Sequence, residues 1–322
     1  MHWVLLGFAI LAILPLLSFR SLRTFNIPNF SFIVFGVGVV ALLPILFGEP
    51  LSINALITLL AYLSFGFMCV CLGSHLVHML GAEKLLTTLS WFALGSGFLV
   101  IFLALINYLS GGLLGVQLLV GIGDMSAQSG LSHRFVYALT FATIALLYLY
   151  AKRKLTITFF FVLLVPLLSM HVFVGGANVW IYPLTITLLA IAMQVAAIKQ
   201  RTGSTSIRSL VRVALLILPL YFVLGGLITP LANNELALPI TQVVAVSNVL
   251  QFEGASILLL LLVGLGLWLK QFKAHQFDIE AWFFVVVFFT LLITSIVNFP
   301  MVFGICLGLV AFLLGAFQRK VQ

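Results

Sequence analysis

The residues best suited to chemistry are few. The stretch AQSGLSHRF, residues 127–135, sets His133 beside Arg134 in a run of small and polar residues. An imidazole moves protons near neutral pH, and a guanidinium holds an oxyanion through its planar fork of donors. His171 lies beside Met170, one turn before a GGAN turn. If His133 and His171 face one cavity, they form a candidate acid–base pair. On its own, His171 reads first as a core histidine satisfied by hydrogen bonds. His75 and His78 are three apart on one helical face, with Cys71 a turn earlier. That spacing fits a metal or a haem edge, but no second ligand pair lies at matching depth. No metal and no cofactor are therefore expected. The basic segment KQRTGSTSIRS, residues 199–209, lacks the GxxxxGK[ST] order of a phosphate-binding loop and reads as a flexible loop.

The elements that must position these residues are apolar. Only 7% of the 322 residues are charged, and the mean hydropathy of +1.30 lies far above that of a soluble globular domain. Apolar runs of 17–25 residues recur along the whole chain, the length that crosses a bilayer as helix. They are not the short alternating segments of an outer-membrane barrel. The fold class is all-α: a polytopic integral membrane protein with helices near 3–19, 31–48, 52–79, 86–108, 135–151, 155–174, 179–198, 213–231, 254–270, 281–298 and 302–317. These eleven spans form one transmembrane domain over residues 1–322, with no separate soluble domain. The first run, Trp3–Phe19, exceeds a signal-peptide core and reads as a permanent helix. Helices broken by proline are expected at Pro44, Pro166, Pro183 and Pro219. Cys69, Cys71 and Cys306 sit in apolar runs and read as small core residues.

The +8 formal charge does not indicate a nucleic-acid partner, because the basic residues are scattered between spans. They read as topology signals. Taking alternate connections as cytoplasmic collects Arg20, Arg23, Lys84, Lys152, Arg153, Lys154, Lys199, Arg201, Arg208, Arg212, Lys270, Lys273, Arg319 and Lys320 on one side. That is fourteen of the fifteen. Glu49, Asp124, Glu235 and Glu253 fall on the other, so the N-terminus is expected in the periplasm and the C-terminus in the cytoplasm. The basic residue left outside is Arg134. Two readings stand for it: an anion-binding residue at the mouth of a helix, or a side chain snorkelling to lipid phosphates. Asp124 is its nearest carboxylate in sequence. The external segment 109–134, apolar in its middle, suggests a re-entrant or interfacial piece.

A resemblance rests on ordered pieces of the chain. TSIVNFPMVFGICLGLVAFLLGAF (294–317) resembles the last two helices of the bacterial O-antigen ligase and protein O-oligosaccharyltransferase superfamily. GIGDMSAQSGLSHRFVYALTFATIALLYLYAKRK resembles that family's external Gly-x-x-Gln-x-Asn-His segment and following helix. PLLSFRSLRTFNIPNFSF resembles its first connection, and GGANVWIYPLTITLLAIAMQ the helix that usually opens with Ser-Arg. The resemblance implies transfer of a glycan from a polyprenyl pyrophosphate carrier at the periplasmic face of a bacterial inner membrane, without metal. It implies arginines on the pyrophosphate and a histidine base. Carried onto this chain, those roles fall on His133 and His171 as catalytic groups, and on Arg134, Gln128, Asp124, Asn178 and Asn298 as substrate contacts. The chain departs from the pattern at polar positions. Ser132-His133 replaces Asn-His, Ala177-Asn178 replaces Ser-Arg, and Thr294 and Asn298 stand where His and Glu are expected. The large periplasmic loop shrinks to residues 232–253, which hold no histidine and no arginine.

Three functions follow. The first is a ligase-like protein that transfers or handles a lipid-linked glycan, active or catalytically degenerate. Its partners would be a polyprenyl-linked glycan or other membrane lipid, with a pilin or another membrane protein as acceptor. The second is a non-enzymatic accessory subunit of a membrane complex. The third is a transporter for a lipid or small solute, which the lack of a mid-span carboxylate weakens.

Overall fold

A computed structural model describes residues 53–109, 129–174, 179–199, 205–232 and 279–297. Among these, the regular structure is α-helix throughout: α1 (Ile53–Leu80), α2 (Ala82–Leu109), α3 (Ser129–Ala151), α4 (Ile157–Val174), α5 (Ile181–Lys199), α6 (Thr205–Ala232) and α7 (Ile279–Val297). Each coincides with an apolar run marked in the sequence. The helices expected at 3–19, 31–48, 254–270 and 302–317 lie outside the described residues, as does Cys306. Ala82–Ile106 and Ile207–Ile228 are long and apolar enough to cross a membrane, by length and composition.

Three expectations are corrected. Helix α3 begins at Ser129, six residues before the expected start, so His133 and Arg134 are helical and not part of a loop. Helix α6 begins at Thr205, so the second half of the supposed basic loop is helix. Hydropathy marks the apolar stretch of a helix, whereas backbone bonding continues into polar residues. Finally, α4 and α6 run unbroken past Pro166 and Pro219, and Pro183 sits in the first turn of α5, where its missing N–H is spare.

Chain contacts divide the protein into two compact units, Met1–Leu85 with Gln242–Gln276 and Leu291–Gln322, and Leu86–Thr241 with Phe277–Thr290. In the first, α1 carries free Cys69 and buried Cys71 and ends on Gly81. The Gly81 N–H closes on the Val77 carbonyl at 2.9 Å. Its φ of +78° is a conformation that suits glycine.

The second unit is built around α3. From Val136 to Ala151 nearly every side chain of this helix is buried, on all sides. A helix apolar all round belongs inside a bundle or a membrane. The hydroxyls of Thr140 and Thr143 donate to the carbonyls of Val136 and Leu139 one turn back, at 2.7 and 2.9 Å. Such bonds let threonine enter a dry interior with its donor satisfied.

Pairs of contacts fix the direction of the neighbours. Thr140 meets His171 and Tyr150 stacks on Phe160 with ring centroids 5.0 Å apart, so α4 is antiparallel to α3. Tyr137, in the third turn of α3, and Tyr182, in the first turn of α5, meet edge to face at 6.1 Å, so α5 begins beside the first half of α3. The Thr187 hydroxyl reaches across to the Ala214 carbonyl at 3.0 Å, and α6 returns along α5. Tyr148 meets Phe283 at 5.2 Å and Lys152 pairs with Glu280, so α7 is antiparallel to α3. Helix α2 docks through Gly97: a Cβ there would overlap that of Ala142 and lie 3.3 Å from Leu167 Cδ2.

Helix α3 closes with a Schellman motif. Arg153 N–H donates to the Tyr150 carbonyl and Lys154 N–H to the Leu149 carbonyl, both at 2.9 Å. The residue that must turn left-handed is Arg153, with φ 57°, where glycine is usual. A non-glycine residue in that region costs on the order of 1 kcal/mol. Arg153→Gly is therefore expected to raise stability by about 1 kcal/mol, read as a higher thermal midpoint of the detergent-solubilised full chain. A lower midpoint would show that the arginine side chain contributes more than the backbone strain removes.

Candidate functional site

Of the sequence-predicted site residues, His133, Arg134 and His171 fall in the described part. His133 is the fifth residue of α3 and Arg134 the sixth. His133 precedes Thr140 by seven residues, which places its backbone on the same side of α3, about 10 Å along the axis. Arg134, one residue on, is turned about 100° around the helix. Asp124, Gln128, Asn178 and Asn298 lie outside the described residues.

His171 is 1% exposed. Its Nδ1 lies 3.0 Å from the Leu167 carbonyl oxygen, which can only accept, so Nδ1 carries the proton. In the neutral ring Nε2 is then the acceptor, 3.0 Å from Thr140 Oγ1. That hydroxyl has one hydrogen and two acceptors in reach, Nε2 and the Val136 carbonyl at 2.7 Å. Nδ1 is engaged and Nε2 competes with the Val136 carbonyl for the single Thr140 hydrogen, and the ring ties the middle of α3 to the end of α4. A proton moving through His171 would have to break one of these bonds. The backbone of His133 thus lies on the side of α3 that His171 meets about two turns further on, and the His171 ring is engaged in the seam.

One charged pair elsewhere in the unit was not picked out from the sequence. Lys152 pairs with Glu280, their side chains 18% and 8% exposed. Lys152 follows the last turn of α3 and Glu280 lies in the first turn of α7. Each charge therefore sits at the helix end whose dipole it complements. The available signal was an acid opening an otherwise apolar helix on the side rich in lysine and arginine. Among the described residues no group of three His, Cys, Asp or Glu side chains comes together in a way that could hold a metal; His75 and His78 remain on α1 without such a set.

These observations define an all-α protein with two helices fit to cross a membrane. No protein-family model matches the chain, and no curated protein or solved structure matches it either.

The ion pair yields a double-mutant test. Removing one partner leaves a buried charge, which costs about 3–5 kcal/mol, whereas an apolar pair of similar size is close to neutral. Glu280→Leu and Lys152→Met should each lower the unfolding midpoint strongly, and the double variant should recover most of the loss. Additive losses in the double variant would mean that the two charges do not depend on each other.

Proposed function

We propose that this chain is a multi-pass protein of a bacterial inner membrane. It belongs to the O-antigen ligase-like kind and handles a polyprenyl-pyrophosphate-linked glycan at its periplasmic face. The single observation that carries the reading is the position of Arg134 within the first turns of α3, beside His133. A cation near a helix N-terminus opposes the macrodipole and is stabilised when an anion neutralises it. A diphosphate suits that place, and the guanidinium fork suits a diphosphate.

Support for the membrane comes from the surface. Trp91, Phe92 and Phe102 of α2, Phe159 and Val162 of α4, and Val223 and Leu227 of α6 are all exposed. Exposed apolar area on this scale needs lipid or protein to cover it. Support for the topology comes from helix direction. Helix α6 runs toward the end of the unit where α3 begins, and α7 starts where α3 ends, so Lys152, Arg153, Arg208 and Arg212 gather at one end of the unit, as a cytoplasmic side requires. An accessory-subunit reading is favoured by α2, where open space lies over Gly95 between the exposed Trp91, Phe92 and Leu99.

Two measurements test the proposal. A charge-assisted contact contributes about 1.5–3 kcal/mol, so Arg134→Ala should weaken binding of a lipid-linked glycan by roughly ten- to a hundredfold. Arg134→Lys should recover only part of it, because an ammonium lacks the planar fork. Equal binding by wild type and Arg134→Ala would leave the arginine as a snorkelling residue. For topology, single cysteines at positions 125 and 240 should react with an impermeant thiol reagent in intact cells with a permeable outer membrane. Cysteines at 153 and 205 should stay protected, and labelling at 205 would overturn the orientation.

A further inference from the structure

Helix α6 carries one feature that the glycan reading leaves unused. Arg208 and Arg212 are both exposed, one turn apart on the same side of the helix. Along that side follow Leu215, Leu216, Phe222 and Val223, all exposed as well. Both arginines lie within the apolar stretch Ile207–Ile228. The described acids are Glu83 and Glu280, and Glu280 is taken by Lys152. Among the described residues no carboxylate pairs with either arginine.

Two guanidinium groups at the edge of an apolar stripe, near a helix N-terminus and with no carboxylate partner among the described residues, favour a bound anion. Their spacing of one turn is about 6 Å along the axis, within which both forks reach one phosphate. The aliphatic and aromatic strip continuing from them matches an acyl chain lying beside its own headgroup. We propose that the Arg208–Arg212 end of α6 binds an anionic phospholipid of the cytoplasmic leaflet, with its phosphate between the two arginines and an acyl chain along Leu215, Leu216, Phe222 and Val223. This rests on the membrane reading above and is independent of the glycan.

The test uses the full chain in mixed micelles of phosphatidylcholine and phosphatidylglycerol, with retained lipids counted by native mass spectrometry. Wild type should retain phosphatidylglycerol in preference to phosphatidylcholine. Each basic residue near a headgroup is worth about fivefold. Arg208→Gln and Arg212→Gln should therefore each reduce the preference about fivefold, and the double variant roughly thirtyfold. Lysine at both positions should keep most of it, because an interfacial charge remains. The control Arg153→Gln with Lys154→Gln, which neutralises two exposed cations on the neighbouring turn, should leave most of the preference in place. No preference in the wild type, or an equal loss in the control, would overturn the site in favour of diffuse surface charge. A full chain that stays in solution without detergent and retains neither lipid would sink the membrane reading itself, a result distinct from uptake of both lipids without preference.

Discussion

The second unit depends on one constraint: α3 is enclosed on nearly every side, so little that is polar on it can turn to solvent. Its backbone meets this by being helical, because each N–H and carbonyl of the interior is paired in the same segment. Thr140 and Thr143 meet it by returning their hydroxyls to the carbonyl one turn back. Where α3 ends, Lys152 meets it by pairing with Glu280 of α7. The neighbours of α3 are then set by complementary pairs. Gly97 lets α2 approach closely, His171 ties in α4, Tyr182 sets α5, and Phe283 with Glu280 seats α7.

Around that dry centre the usual distribution of residues is reversed. The interior of a soluble bundle takes the large apolar side chains and leaves charge outside. Here the outer faces of α2, α4, α5 and α6 also carry leucine, valine and phenylalanine, while among the described residues exposed charge gathers toward helix ends, as at Arg153, Lys154, Arg208 and Arg212. A bilayer would suit this arrangement, since its core accepts apolar faces and its headgroups accept cations. Helix α6 changes from arginine to leucine within two turns.

Much of this was legible in the residues. Runs of apolar side chains as long as a bilayer is thick placed all seven described helices, because length and hydropathy respond to the same physical limit. The ends of α3 and α6 were less legible. Ser132, His133 and Arg134 at one, and Thr205 to Arg212 at the other, are polar enough to read as loop, yet a helix persists beyond the apolar zone while its backbone bonds continue. The prolines misled for a related reason: Pro166 and Pro219 remove a donor each without ending α4 or α6. His171 read correctly as a candidate satisfied core residue, since a lone histidine on an apolar helix needs a neighbour's hydroxyl or carbonyl. The Lys152–Glu280 pair was hidden because partners so far apart in sequence reveal themselves only when two helices are known to lie side by side. Nothing in a linear pattern links the end of one helix to the start of another several helices later.

That separation also bears on how the protein is made. Lys152 and Glu280 are 128 residues apart, and ribosomes extend a chain by about 5–20 residues per second. Between the emergence of the lysine and that of its glutamate, roughly 6–26 s pass. For that interval the flank of α3 later covered by α7 faces whatever surrounds the nascent chain, and the lysine lacks its carboxylate. Whatever receives the nascent chain must therefore hold an incomplete bundle, with its central helix already made and one wall still being translated.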